Sequence, residues 1–134
     1  MRSRIKPMTP FGKKLRSIRA ERGITLKDMA EAINVSPAYL SALEHGRKGA
    51  PTWYLVQRII TFFNVIWDEA EELERLAQIS HPRIVVDTSG LGSQATELAN
   101  KFARHVGALS ENDIKSLLLL LNELIDISER RSKS

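Results

Sequence analysis

Six side chains in one stretch of the chain have the chemistry of an anion site: the hydroxyls of Thr25, Ser36 and Ser41, and the cations Lys27, Arg47 and Lys48. Hydroxyls mixed with ammonium and guanidinium groups hold phosphate oxygens without reading what the phosphate is attached to. Among them lie Leu26, Pro37, Ala38, Tyr39, Ala42 and His45, of which only Tyr39 and His45 carry a polar tip. No catalytic set competes with this chemistry. His81, His105, Asp87 and Asp113 are scattered without metal-ligand spacing, no nucleophile adjoins a plausible base, and the chain has no cysteine. The reading is therefore a non-enzyme that needs neither metal nor cofactor.

The charge distribution supports an anionic partner. Residues 1–52 carry eleven Lys and Arg against four Asp and Glu, a net +7, whereas residues 53–82 are acidic at −3 and residues 83–134 balance at seven and seven. A basic half of this kind points to a polyanion. The 134 residues suffice for one small domain with an appendage, and 43% hydrophobic content suffices for a core. The opening MRSRIKPM has no apolar run behind it, and no stretch approaches about 18 uncharged apolar residues, so neither a secretory signal nor a membrane span is expected. With no cysteine, a reducing compartment is the simplest setting, and a cytoplasmic protein is the expectation.

The elements that must position these residues read as helices. Thr9-Pro10 is a cap followed by proline at the first helical position, and Phe11, Leu15 and Ile18 recur at helical spacing up to Gly23, giving helix one over about 10–22. Thr25 caps a second helix, about 26–33, and Asn34 suits a left-handed connection. Ser36-Pro37 repeats the cap-plus-proline device and opens a third helix, 36–45, ending at Gly46. Thr52 caps a fourth with Leu55, Ile59 and Phe63 inward, and Trp67 to Ile79 reads as an acidic fifth. His81-Pro82 then breaks the pattern ahead of RIVVDTSG, a β-leaning run. Ser93 is expected to cap a sixth helix, and Ser110 with Asp113 starts a seventh that runs to about Glu129 before a frayed end.

On a helical wheel the third helix puts Leu40 and Leu43 on one side, with Glu44 only about 40° from Leu40. An inward carboxylate requires a partner, and Arg19, beside Phe11 and Leu15 on the apolar face of helix one, is the expected one. The set Leu15, Arg19, Gly23, Thr25, Met29, Ala30, Val35, Ser36, Leu40, Ser41, Leu43, Glu44, Gly46 and Pro51 resembles the lambda-repressor/Cro, or XRE-type, family of helix-turn-helix DNA-binding proteins over about residues 9–70. That resemblance implies an all-α fold: a five-helix domain, then a short extended segment and a two-helix C-terminal extension. It also implies that the third helix enters the major groove of double-stranded DNA.

By the same resemblance, Pro37, Ala38 and Ala42 face bases with Tyr39 beside them, and helix two begins its contact at Leu26. Many relatives carry Gln or Arg at these places; Ala38 and Ala42 offer only an apolar touch, most simply to a thymine methyl. Thr25, Lys27, Ser36, Ser41, Arg47 and Lys48 are the phosphate candidates. Tyr39 fits either a DNA contact or a surface position packed on helix two, and His45 either a DNA contact or a helix-end position interacting with the last carbonyls. Arg2, Arg4 and Lys6 form a basic arm that is either a second groove contact or a plain tail.

In the second half, Gly90-Leu91-Gly92-Ser93-Gln94-Ala95 matches G-x-G-x-x-A, but the chain offers no second strand to complete a dinucleotide fold, so a turn before a helix is the preferred reading. The seventh helix carries Leu117, Leu118, Leu121, Leu124 and Ile125 on a stripe that one small domain can hardly cover, which predicts a homodimer contact. The expected organisation is an arm at 1–8, a DNA-binding domain at 9–80, a dimerising extension at 81–130 and a tail at 131–134. The leading function is a sequence-specific transcriptional regulator, with repression the expected mode. Its alternatives are an antitoxin whose C-terminal half holds a toxin or another protein partner, and a regulator whose C-terminal half binds a small molecule.

Overall fold

The computed structural model describes residues 7–133, which fall into two compact units that divide after Ile84. The first contains α1 (Pro10–Arg22), α2 (Leu26–Ala32), α3 (Pro37–Glu44), α4 (Trp53–Phe63) and α5 (Asp68–Gln78). The second contains α6 (Ser93–His105), a single 3-10 turn (Val106–Ala108) and α7 (Glu111–Ser132).

Local chemistry starts each of the first four helices. The hydroxyls of Thr9, Thr25, Ser36 and Thr52 accept N–H bonds from Gly12, Asp28, Tyr39 and Leu55 at 3.0, 3.0, 3.0 and 3.2 Å. Such caps are worth about 1 kcal/mol each. Pro10 and Pro37 occupy first-turn positions where a missing N–H costs nothing. Gly23 closes α1 at φ 65, and Asn34 turns the chain between α2 and α3 at φ 62, a conformation that Asn tolerates better than most side chains. Trp67, at φ 54 and ψ −119, holds a conformation that costs a bulky residue energy, and α5 starts there without a side-chain cap.

The core gathers Phe11, Leu15 and Ile18 of α1, Met29, Ala30 and Ile33 around α2, Leu40 and Leu43 of α3, Leu55, Val56, Ile59 and Phe63 of α4, and Leu73 and Ala77 of α5. α1 packs on both α3 and α5, and α2 packs on α3. At the α1–α3 crossing a Cβ added to Gly12 would stand 2.1 Å from the Glu44 carbonyl oxygen, so the two backbones touch where no side chain fits. Ser80, buried beyond the end of α5, accepts the Phe11 N–H at 2.8 Å and donates to the Leu76 carbonyl at 2.5 Å. It thereby satisfies an amide at the start of α1 that the helix itself leaves unpaired.

The first unit continues past the expected limit at residue 80. Pro82 packs at the end of α3, 3.6 Å from where a Gly46 Cβ would stand, so the chain leaves this unit only after Ile84. The β-leaning run forms no strand among the described residues: β-branched side chains favour extended backbone, but a strand requires a partner edge.

In the second unit Gly90 and Gly92 adopt φ 78 and 94, giving the turn that leads into α6. Gly92, and not Ser93, is the capping residue, because its positive φ turns the chain and leaves Ser93 as the first helical position. The Asp87 carboxyl is held below the usual carboxylate range by hydrogen bonds from Ser89, side chain first and backbone second. α7 opens on a reciprocal capping box in which Ser110 and Asp113 each accept the other's N–H at 3.1 Å. It runs on to Ser132, beyond the expected end near Glu129, with Arg130 and Arg131 in a last turn that favours cations.

Candidate nucleic-acid interface

α3 is held from below by one buried ion pair. Glu44, 3% exposed, receives both terminal nitrogens of the Arg19 guanidinium, and the Arg19 Nη1 also lies 3.9 Å from the Met29 sulfur. A planar fork on a carboxylate fixes orientation as well as distance. The Glu44 carbonyl also accepts the Thr9 N–H at 3.1 Å, so the start of α1 is tied to the end of α3. Arg22, the other cation on the inner side of α1, donates to the Phe63 carbonyl and lies 5.5 Å over the Phe63 ring.

The start of α3 stands free. Ser36, Pro37 and Ala38 are exposed, while Tyr39 is half-buried and packs against the core. A shallow cleft of about 480 Å³ runs beside them, lined by Lys27, Glu31, Asn34, Val35, Ser36 and Pro37, so Lys27 and the start of α3 border the same cleft. Thr25 and Lys27 are exposed, whereas Leu26 is half-buried against the core. The Thr25 and Ser36 oxygens accept their capping bonds and keep an O–H to donate outward. Ser41 is half-buried; Arg47 and Lys48 are exposed in the loop after α3.

Ala42 corrects the sequence reading. Expected to face outward, it is 8% exposed. The chain reverses at Gly46, φ 75, and the Arg47 N–H closes the end of α3 on the Ala42 carbonyl at 2.8 Å. The outward surface of α3 is therefore shorter than expected and centred on residues 36–39. His45 is half-buried, and its Nδ1–H donates to the Pro7 carbonyl at 2.9 Å, a bond to the preceding segment and not to the helix end. The basic arm at Arg2, Arg4 and Lys6 lies outside the described residues.

Two residues escaped the sequence reading. Trp53 and Tyr54, 66% and 74% exposed, stand at the start of α4 as a T-shaped pair with ring centroids 5.3 Å apart. The signal was present: the Thr52 cap fixes the phase of α4, and with Leu55, Ile59 and Phe63 inward both rings must point outward.

An eight-residue helix capped by Ser36, four residues after another short helix, is pinned by a buried Arg–Glu pair, and the family model for the helix-turn-helix domain matches residues 10–76, half of the chain. The chain belongs to the helix-turn-helix family. Its sequence is 30% identical over 61 residues to the uncharacterized HTH-type transcriptional regulator RghRB of Bacillus subtilis (strain 168). That match covers 46% of this chain and 44% of the relative, so the chain spans less than half the length of that protein. Two crystal structures of the clp gene regulator ClgR from Corynebacterium glutamicum are also similar. One is 30% identical, covering 76% of this chain and 93% of that one, and the other is 36% identical, covering 52% and 86%, each with a TM-score of 0.44. Among the described residues of this helix-turn-helix chain, no helix is long and apolar enough to cross a membrane, and no group of His, Asp and Glu is arranged to hold a metal ion.

Proposed function

We propose that the protein is a DNA-binding transcriptional regulator, acting as a homodimer, that sets the start of α3 in the major groove. The observation that carries this is the exposed Ser36-Pro37-Ala38 stretch at the start of α3, flanked by Lys27 on one side and Arg47 and Lys48 in the next loop, on a half-chain of net charge +7. Hydroxyls of Thr25, Ser36 and Ser41 with Lys27, Arg47 and Lys48 take the phosphates, while Pro37, Ala38 and Tyr39 meet the bases. Leu26 supports the approach as an apolar edge, and His45 has its Nε2 available for a phosphate or base edge.

Few direct hydrogen-bonding contacts to bases are available on such a surface. Sequence preference then rests on apolar fit to thymine methyls and on DNA shape, and affinity rests on phosphates. Ala42, being buried, drops out as a reading residue and supports α3 from within. Leu117, Leu118, Leu121, Leu124 and Ile125 hold the dimer, and the two-fold pairs two half-sites. Repression, by occupying a promoter, is the mode proposed, with the protein acting at the nucleoid.

A salt titration of affinity on duplex DNA tests the reading. Arg47→Ala is expected to weaken binding on every sequence alike and to reduce the slope of log affinity against log salt by about 1. Unchanged affinity and slope in both Arg47→Ala and Lys48→Ala would remove the phosphate role from this loop.

A further inference from the structure

α7 is a 22-residue helix, about 33 Å long, in which no residue is buried. Nine apolar side chains between Ile114 and Ile127 are each 37–72% exposed. Six of them, Ile114, Leu117, Leu118, Leu121, Leu124 and Ile125, share one stripe and leave on the order of 500 Å² open per copy, a large part of one side of a standard interface, while Leu119, Leu120 and Ile127 lie on other sides of the helix. α6 adds Leu98 and Phe102, 72% and 50% exposed, and likewise buries nothing. A helix this apolar and this uncovered requires a partner surface.

We infer that the cover is a second copy of α7 running antiparallel, with the two-fold axis beside Leu121. This rests on the homodimer reading and adds its geometry. The stripe itself is symmetric about that point: Ile114 comes opposite Ser128, Leu117 opposite Ile125 and Leu118 opposite Leu124, so apolar faces apolar along most of the length. Charge fixes the direction. With the helices antiparallel, Glu111 of one copy comes near Lys133 of the other, Asp113 near Arg131, and Lys115 near Glu129, three opposite-sign pairs that share one offset. Helical side chains lean toward their own N-terminus, so the members of each pair lean toward one another at this offset. A parallel pair instead sets Glu111 against Asp113 at the start and aligns the two macrodipoles unfavourably.

The absence of native cysteine makes the test clean. Three full-length single-cysteine variants are made, Leu121→Cys, Ile114→Cys and Ser128→Cys, their oligomeric state is measured by light scattering, and thiol cross-linking follows. In the antiparallel dimer the two copies of position 114 lie about 21 Å apart along the axis, beyond thiol reach. Leu121→Cys is expected to cross-link to itself and Ile114→Cys not to. An equimolar mixture of the Ile114→Cys and Ser128→Cys chains is expected to cross-link between the two kinds. A dimer in which Ile114→Cys cross-links to itself overturns the antiparallel geometry and leaves the homodimer standing. A monomer that cross-links nowhere overturns both.

Discussion

Replacing Gly12 by alanine gives an unusually sharp test of how α3 is held. In an ordinary helix interior the change stabilises by about 0.5–1 kcal/mol, because alanine has less backbone freedom to lose. Here the added methyl would stand 2.1, 2.6 and 2.7 Å from the O, Cα and C of Glu44. All three are backbone atoms, so no side chain can swing aside and α1 must move off α3. Overpacking of this severity costs about 3 kcal/mol. Set against the propensity gain, the net loss is about 2 kcal/mol, which in a domain of this size lowers the melting temperature by about 8–16 °C. Thermal unfolding by circular dichroism and the urea midpoint would measure it, with Ser17→Ala on the exposed side of α1 as the control. A Gly12→Ala protein as stable as its parent, or more so, would mean that α1 and α3 do not touch as described, and the account of how α3 is fixed would fall.

Glu44→Ala leaves the Arg19 guanidinium buried without its carboxylate and is expected to cost about 3–5 kcal/mol, whereas Arg19→Met combined with Glu44→Leu should lie near the parent; a urea titration of the three proteins distinguishes a required charge from a replaceable one. Trp67→Gly removes the positive-φ strain at the start of α5 and is expected to raise stability by about 1 kcal/mol, read as an increased urea midpoint. A lowered midpoint would show that the Trp67 ring contributes packing that its 80% exposure does not suggest.

What could be read from the chain alone was whatever is decided within a few residues. Thr9-Pro10, Thr25, Ser36-Pro37, Thr52 and Ser110 announce helix starts because a hydroxyl three positions before an amide is a local event. Glu44 could be assigned inward, and to Arg19, because a wheel fixes its phase. Ala42 lies on the same short helix, on the side a wheel points outward, yet it is buried, because burial depends on what the rest of the chain packs there, which no periodicity encodes. Gly12 and Ser80 were silent for a similar reason: one touches α3 and the other reaches back 69 positions to Phe11. The run at 83–90 leans toward a strand by composition, yet strand formation depends on an edge elsewhere. The apolar stripe of α7 was plain in the sequence, but only the exposed helix indicates how much surface a partner must cover.

Selection of bound duplexes from a random pool tests the central claim most directly, performed with the parent protein and with a Ser36, Ala38 and Tyr39 variant altered only on the exposed start of α3. Enrichment of two inverted half-sites by the parent, with the enriched sequence changed or lost in the variant, is the predicted result. The same half-sites recovered unchanged by the variant, or binding by the parent with no enrichment, would contradict a regulator that reads DNA with the start of α3.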